Sequence, residues 1–250
     1  MTAPFFLADS VPRDVGVVVV LEGAEGRHAV SVRRITVGET IHVGDGAGAV
    51  VEAVTIGVVG RDRLEARVKS FRLHPDPSPR VTVVQALPKG ERGDLSVELL
   101  TEVGVDVVVP WSASRSVAVW KAEKAARGME KWRSTAREAA KQSRRPFVLR
   151  VEALATTTEV TALLRAVVQG GGQALVLHED ASLPLASLRL PRAGDVLLVV
   201  GPEGGLAEQE RAAFEAAGAL SARLGPSVLR TSTAGAVAAS VIMAASGRWD

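Results

Sequence analysis

Cysteine is absent from all 250 residues, which excludes disulfide bonds and thiolate metal sites. The four histidines show none of the close spacings that are typical of metal ligands. Tyrosine is absent too, so few groups titrate between histidine and lysine. The pI of about 9.3 therefore overstates the basicity of a chain whose formal net charge is only +2. We predict no metal site.

Long apolar runs and two common nucleotide motifs are also missing. The apolar runs at 17–21 and 234–246 are too short to cross a bilayer. No basic stretch followed by a long apolar core stands near the N-terminus, so we expect a soluble, cytoplasmic protein. No Gly-x-Gly-x-x-Gly follows a strand-like run and no Walker A sequence occurs, which disfavours a Rossmann dinucleotide site and a P-loop.

Charge is unevenly distributed along the sequence. Residues 80–150 carry 14 Lys and Arg against 8 Asp and Glu, whereas the segments on either side are slightly acidic. A basic segment of this kind can contact the phosphate backbone of a nucleic acid. A solvated helix face would account for the same charges, so composition alone leaves both interpretations open.

A proline-rich stretch at 74–79, HPDPSP, divides the sequence. Alternating prolines disfavour helix and keep a segment extended, so we predict a linker at 74–79 between a first domain at 1–73 and a second at 80–250. The first domain contains short strand-like runs and one helical stretch, which predicts a small β-barrel-like domain. Its strands are predicted at 15–21, 40–44, 48–56 and 63–71, and its helix at 23–32.

In the second domain, apolar strands alternate with helical patterns. This alternation predicts an α/β domain with a mainly parallel sheet. The strands are predicted at 80–86, 105–110, 147–153, 174–178, 196–200 and 219–224. The helices are predicted at 93–103, 121–142, 158–168, 207–217 and 233–246.

Two loops of the second domain are rich in glycine and proline and lie between a strand and a helix. The first is Gly201-Pro202-Glu203-Gly204-Gly205, and the second is LGPSVLRTSTAG at 224–235. Glycine lets a ligand approach the main chain, whose N–H and C=O groups can hydrogen-bond an adenine edge. Two such loops at one edge of a parallel sheet would frame a small-molecule site. Either loop alone would also fit an ordinary strand-to-helix turn.

The order and spacing of the two loops resemble the SPOUT class of S-adenosylmethionine-dependent RNA methyltransferases. Further stretches resemble one family of that class, the bacterial methyltransferases that act on uridine N3 of 16S ribosomal RNA. Two positions depart from the family pattern, because Leu99 stands where lysine is frequent and Ser232 where glutamate is usual. The matching stretches cover nearly the whole chain: 27–34 (RHAVSVRR), 101–105 (TEVGV), 114–117 (SRSV), 131–133 (KWR) and 138–145 (EAAKQSRR).

The resemblance implies a PUA- or OB-like N-terminal β-barrel and a C-terminal α/β SPOUT domain with a deep trefoil knot. It implies S-adenosylmethionine as cofactor and methylation of N3 of uridine 1498, in standard RNA numbering, in the small ribosomal subunit. It also implies a homodimer formed through the C-terminal domain, with the apolar helix at 233–246 in the interface. Ribose 2′-O methylation and a non-catalytic RNA-binding assembly factor are the alternatives.

The family's cofactor lies in a cleft between three loops, and the third loop here would follow the strand that ends near residue 177. The residues implied to contact the cofactor come from these loops and the start of the last helix. They are Leu177, His178, Glu179, Gly201, Pro202, Glu203, Gly204, Gly205, Leu224, Gly225, Val228, Leu229, Arg230, Thr233 and Ala234.

Loss of the uridine N3 proton spreads negative charge over O2 and O4, which a positioned arginine can stabilise. Arg230, in the last loop, is the first candidate catalytic residue, and Arg115 and Arg144 are the next. A salt bridge from Arg230 to Glu203, or a hydrogen bond to a carbonyl, is the competing interpretation. The residues do not identify the proton acceptor, for which Glu203 and Glu138 are the candidates.

Five residues are predicted to contact RNA, because histidine and arginine can stack on unpaired bases and pair with phosphates. Partial packing at the surface is the competing interpretation for those on the predicted first helix. The five are His28, Arg33, Arg34, Arg133 and Arg145.

Overall fold

The computed structural model describes residues 3–250, without the side chain of Ala122. The chain divides into two compact units, one reaching to Asp76 and including Ala140–Val148, the other formed by Pro77–Ala139 and Leu149–Asp250. The break at 76–77 lies within the predicted linker. Residues 140–148 belong to the first unit, although the predicted boundaries place them in the second domain. Among the described residues, no helix is long and apolar enough to cross a membrane.

The first unit is built on a five-stranded sheet. In chain order the strands are β1 (Phe5–Leu7), β2 (Val18–Leu21), β3 (Thr40–Gly44), β4 (Ala49–Val59) and β5 (Arg63–Leu73). The spatial order is β1-β3-β4-β5-β2, and all neighbours are antiparallel except β1 and β3. Residues on β4 alternate between buried and more exposed positions, which is the pattern of a sheet with one covered face. Phe6, Ile41, Val51 and Leu64 are fully buried in this core.

One helical stretch interrupts the first sheet at the predicted place. It consists of α1 (Gly23–Arg27), which continues into a π-helical turn over His28–Val32. A Cβ atom on Gly26 would lie 1.9 Å from the carbonyl oxygen of Asp62, so only glycine allows this close approach. The helical stretch is therefore seated against the turn between β4 and β5.

The second unit is built on a six-stranded sheet in which every neighbouring pair is parallel. Its strands are β6 (Arg80–Ala86), β7 (Val107–Trp111), β8 (Arg150–Val151), β9 (Gln173–Leu177), β10 (Asp195–Val200) and β11 (Leu220–Ala222), in the spatial order β11-β9-β10-β6-β7-β8. The prediction of an α/β domain with a parallel sheet is confirmed. The central strand β10 is buried from Val196 to Val200, as expected for a strand covered on both faces.

Five helices accompany this sheet: α2 (Arg92–Val103), α3 (Ala122–Ser143), α4 (Thr157–Gln169), α5 (Glu208–Ala216) and α6 (Thr231–Ser246). All five were predicted within two residues of these bounds. On one side of the sheet, Trp111 and Phe214 meet edge to face with ring centroids 5.4 Å apart. The small-residue helix α6 packs against α2, β6 and β10, where Ile242 and Met243 are fully buried.

Two strand predictions need correction. The strand predicted at 147–153 is reduced to β8, because Phe147 pairs with Ala47 of the first unit in an isolated antiparallel bridge. β1 was not predicted, because its three residues are too few to show alternation.

A nearly buried ion pair closes the second unit at its C-terminal end. The Arg248 guanidinium reaches both carboxylate oxygens of Asp106, at 2.5 and 2.7 Å, and donates to the carbonyls of Pro79 and Gly104. Asp106 also accepts the N–H of Val81 at 2.8 Å. Only about a tenth of each charged side chain is exposed. The pair therefore joins the chain end to the starts of β6 and β7.

Replacing Asp106 with alanine would leave the guanidinium of Arg248 buried without its counter-charge. We expect the free energy of unfolding to fall by about 3–5 kcal/mol, measured by urea denaturation. Glu152→Ala is the matched control, because Glu152 pairs with Arg150 at 2.6 Å on the exposed surface and should cost about 0–1 kcal/mol. Equal losses in the two variants would contradict a structural role for the buried pair.

Candidate functional site

The carboxyl ends of three neighbouring parallel strands, β11, β9 and β10, meet at one edge of the second sheet. The loops that follow them, with the start of α6, surround a cavity of about 660 Å³. Open parallel sheets commonly bind ligands at this edge. The lining residues are Arg115, 177–180, 200–206, 224–231 and Ala234.

The structure thus brings together the three loops that the sequence singled out. Of the residues predicted to contact a cofactor, all but Thr233 line this cavity. The Thr233 hydroxyl instead donates to the carbonyl of Arg230 at 3.1 Å, within the first turn of α6. The cavity also includes Asp180, Leu206 and the 226–227 turn, which the prediction omitted.

The glycines of the cavity have different structural roles. Gly205 has a φ of +72°, a left-handed conformation that glycine adopts readily. A Cβ on Gly225 would have no neighbour within 4 Å, so a side chain there would extend into open space. A Cβ on Gly204 would lie 3.1 Å from the Arg115 carbonyl oxygen, so this glycine allows close packing of two loops. Main chain is therefore exposed to the cavity at Gly225 and Gly205.

Arg115 lines the cavity and also braces its glycine-rich loop. One guanidinium nitrogen donates to the Leu206 carbonyl at 3.2 Å and approaches the Gly204 carbonyl at 3.5 Å. Glu203 accepts the N–H of Lys89 at 3.3 Å, so its carboxylate ties the same loop to the segment after β6. The Glu203 carboxylate therefore helps to hold this loop closed.

Glu210 is a buried carboxylate on α5 that joins three segments around the cavity. One oxygen accepts the N–H of Ser114 at 2.8 Å and the hydroxyl of Thr157 at 3.1 Å. The other accepts the N–H of Ala207 at 3.1 Å. Ser114 precedes Arg115, and Ala207 follows the glycine-rich loop. Glu210 therefore fixes both partners of the Arg115 brace.

Gln85, fully buried on β6, holds the other side of the cavity. Its Nε2 donates to the carbonyls of Ala86 and Thr231, at 3.1 and 3.3 Å, and its Oε1 accepts the hydroxyl of Ser96 at 2.9 Å. Thr231 is the first residue of α6 and follows Arg230 directly. The amide thus anchors the end of the last loop to the centre of the sheet.

Arg230 stands at the N-cap of α6 with an extended backbone and an exposed side chain. Its carbonyl accepts the N–H of Ala234 at 2.9 Å. In the part of the chain that the structure describes, its guanidinium forms neither a salt bridge with Glu203 nor a hydrogen bond to a carbonyl. The departure at Ser232 lies beside it and is buried, a position that favours a small uncharged side chain over glutamate.

The predicted RNA-contacting residues are divided between the units. His28, Arg33, Arg34 and Arg145 belong to the first unit, and Arg133 lies exposed on α3 in the second. Arg144, the third candidate catalytic residue, also belongs to the first unit and is not among the residues that line the cavity.

His28 is half-buried, as the packing interpretation expected. Its ring meets Phe6 edge to face at 5.8 Å, and its Nδ1 lies 3.4 Å from the Lys141 ammonium. Lys141 is nearly buried and pairs with Glu25 at 2.8 Å. His28 therefore helps to hold the end of α3 in the first unit.

Sequence reasoning missed Gln85 and Glu210. The signal for Gln85 was a single amide within the apolar run of β6. Glu210 stands three residues after Ala207, the spacing of a helix-capping carboxylate, but Ala207 lacks the hydroxyl that marks such a motif.

Replacing Glu210 with alanine would leave three donors without their acceptor. We expect the free energy of unfolding to fall by about 2–4 kcal/mol, because each unpaired buried polar group costs about 1–3 kcal/mol. Glu210→Gln keeps an acceptor oxygen and should lose less. Glu208→Ala, on the same helix but with an exposed carboxylate, should change stability by under about 1 kcal/mol. Urea denaturation of the three variants measures the difference, and equal effects at 208 and 210 would contradict it.

Comparison with known proteins gives the family. The model of an RNA methyltransferase domain matches residues 75–243, and that of an RNA methyltransferase PUA domain matches residues 21–69. The chain is 45% identical over 250 residues to ribosomal RNA small subunit methyltransferase E of Mycobacterium tuberculosis, covering all of this chain and 95% of that protein. It is 30% identical over 232 residues to the Bacillus subtilis protein of the same name, covering 89% and 88%.

Comparison with solved structures agrees with this family. A ribosomal RNA small subunit methyltransferase E from Neisseria gonorrhoeae, bound to S-adenosyl methionine, superposes with a TM-score of 0.85 at 27% identity, over 97% of this chain and 98% of that one. A methyltransferase from Legionella pneumophila in complex with the same cofactor gives a TM-score of 0.83 at 26% identity, over 98% of both chains. The predicted resemblance is confirmed, and this chain belongs to the family of ribosomal RNA small subunit methyltransferases E, with a PUA domain followed by an RNA methyltransferase domain.

Proposed function

We propose that this chain transfers a methyl group from S-adenosylmethionine to N3 of uridine 1498 in 16S ribosomal RNA. The observation that carries the proposal is the cavity at the carboxyl ends of β9, β10 and β11, in a chain of this family. The proposal includes a deep trefoil knot of the SPOUT type in the second unit and a barrel-like closure of the first. A ribosomal RNA substrate makes the small subunit the expected context and the cytoplasm the expected compartment.

The residues present fit S-adenosylmethionine. The volume of about 660 Å³ suits a ligand of this size. Gly205 and Gly225 leave main chain open to the cavity, where N–H and C=O groups can pair with an adenine edge without side chains between. Leu177, Val228 and Leu229 offer apolar contacts, and Glu179 and Asp180 offer carboxylates for an amine or hydroxyls. When bound, the cofactor supplies an electrophilic methyl group on a sulfonium.

The chain's part in the chemistry is to orient uracil and stabilise its developing charge. Neutral uridine N3 carries a proton and is a poor nucleophile, so the site must favour proton loss. Arg230 is exposed at the rim of the cavity, on a backbone held by the contact between Gln85 and Thr231. A guanidinium there can donate two hydrogen bonds to a carbonyl oxygen that gains charge. Arg115 is engaged with the Leu206 carbonyl, so we assign it to loop positioning.

The experiment is mass mapping of modified uridines in 16S RNA. Purified protein, S-adenosylmethionine and small subunits from a strain that lacks this protein should yield one added methyl group on the base of a single uridine. Gly225→Trp is the inactive control, because its side chain would extend into open space at the cavity. Methylation on ribose would favour 2′-O activity, and RNA binding without methylation would favour an assembly factor. Either result would contradict the proposal.

Arg230→Ala should lower the rate of methyl transfer far more than the affinity for RNA or cofactor. The loss of one such donor typically costs about 100- to 1000-fold in rate. Lysine should restore only part of the rate, because it cannot present a planar fork of donors. Single-turnover kinetics at saturating RNA and cofactor measure this, and a near-normal rate for Arg230→Ala would exclude the assignment.

We also propose a homodimer through α6. Ala239 lies on its fully buried side, whereas Val237 is 43% exposed and Ala244 is exposed on the other side. Val237→Arg should therefore convert a dimer to a monomer, measured by light scattering at micromolar concentration, while Leu163→Arg, at a 39%-exposed position on α4, should not. A monomeric wild-type protein would contradict the proposal.

A further inference from the structure

The segment that connects β7 to α3, here called the strap (112–121), forms hydrogen bonds mainly in its first half. The N–H of Ser114 donates to the buried Glu210 carboxylate at 2.8 Å. In the described part of the chain, no hydrogen bond involves residues 117–120, and both valines of this stretch are more than half exposed. Side-chain packing therefore has to fix the second half of the strap.

The ring of Trp120, near the end of the strap, packs directly on the main chain of α3. A Cβ atom on Gly128 would lie 2.6–2.8 Å from three atoms of the Trp120 ring, so the ring occupies the place that a side chain would take. Apart from proline, glycine is the least favourable residue in the interior of a helix. The contact with Trp120 explains why α3 has glycine at this position.

Two helices form the surface on which Trp120 packs. Trp120 meets Trp132 of α3 edge to face, with ring centroids 5.2 Å apart. Trp132 is only 2% exposed, and a Cβ atom on Gly93 of α2 would lie 2.9 Å from its Nε1. Lys131 of α3 also pairs with Asp94 of α2 at 2.5 Å. Trp120 therefore packs against a tryptophan that is itself buried where α2 and α3 meet.

The first half of the strap lies against the glycine-rich loop of the cavity. A Cβ atom on Gly204 would lie 3.1 Å from the Arg115 carbonyl oxygen and 3.2 Å from its Cβ. The Arg115 guanidinium donates to the Leu206 carbonyl at 3.2 Å. Only four residues separate Arg115 from Trp120, and so short a segment limits how far one can move without the other. A displaced Trp120 ring would therefore disturb the Arg115 brace.

We propose that Trp120 is a positioning residue for the cofactor: its ring, packed on Gly128, fixes the strap and so keeps Arg115 on the glycine-rich loop. Binding of S-adenosylmethionine is then coupled to a contact that does not line the cavity. This inference deepens the proposed function, because it concerns the same cavity, but it does not depend on which nucleotide is methylated.

Two substitutions remove the contact from opposite sides. Trp120→Ala deletes the ring, and Gly128→Ala places a methyl group where the ring lies. Both should weaken binding of S-adenosylmethionine at least about fivefold, measured by calorimetry, which is the lower end of typical coupling between sites. Trp120→Phe keeps an aromatic ring and should retain most of the affinity. Val119→Ala, at a 58%-exposed position on the same strap, is the matched control and should bind like wild type.

Kinetics separate positioning from catalysis. Trp120 is not among the residues that line the cavity, so it touches no reacting group there. Trp120→Ala and Gly128→Ala should therefore raise the KM for S-adenosylmethionine and leave kcat at saturating cofactor within about twofold of wild type.

A double-mutant cycle tests whether Trp120 acts through Arg115. Arg115→Ala should itself weaken cofactor binding, because it removes the brace. Adding Trp120→Ala should then cause little further loss, because two residues that act through one contact are not additive. Additive losses would show that Trp120 acts independently of the brace and would overturn the proposal.

The remaining outcomes are also decisive. Gly128→Ala keeps the helix backbone intact and raises its helical propensity, so it tests the contact even where Trp120→Ala fails to fold. Unchanged cofactor affinity in Gly128→Ala, or a lower kcat at unchanged KM, would overturn the proposal. A wild-type protein that binds S-adenosylmethionine but methylates no uridine would refute the proposed function and leave this test intact.

Discussion

The hydrogen bonds of one buried amide, Gln85, determine where the last loop of the cavity ends. An unpaired amide in the interior costs free energy. The Gln85 amide is paired at both atoms, because its Oε1 accepts the Ser96 hydroxyl and its Nε2 donates to two carbonyls. One of those carbonyls belongs to Thr231, so the first turn of α6 is fixed to the central strand β6. Gly235 packs closely at the same place, because a Cβ there would lie 3.3 Å from Cγ2 of Val200 and 3.4 Å from Oε1 of Gln85. The position of Arg230 follows from that contact.

Glu210 holds the glycine-rich loop in place in a similar way. A loop that offers its main chain to a ligand has few side chains with which to hold itself, and glycine adds backbone freedom. Neighbouring elements therefore have to fix the conformation of this loop. Glu210 binds the N–H groups of Ser114 and Ala207, on either side of the Arg115 brace. The site is therefore held by buried polar groups that do not line the cavity.

Much of the fold and of the cavity could be predicted from the sequence, for reasons that differ between elements. The parallel sheet followed from continuous apolar runs such as β10, and the loops around the cavity followed from glycine and proline after those runs. β1 was too short to show a period, and β8 shrank because Phe147 pairs with Ala47, a contact between residues 100 positions apart. Gln85 and Glu210 depend on which distant donors and acceptors meet them, and periodicity does not encode this. The grouping of residues 140–148 with the first unit was not predicted, because the burial of Lys141 beside Glu25 is likewise a long-range contact.

The chain uses left-handed positions in two different ways. At Gly205 the local preference is obeyed, and the missing side chain opens the main chain to the cavity, which suits a ligand recognised through N–H and C=O groups. At Arg34 and Arg144 the preference is not obeyed, and both residues lie just after a helical segment. The turn after α3 closes with the bond from the Arg145 N–H to the Ala140 carbonyl, a turn whose left-handed position is usually glycine. The same backbone geometry therefore ends helical segments in the first unit and opens main chain to the cavity in the second.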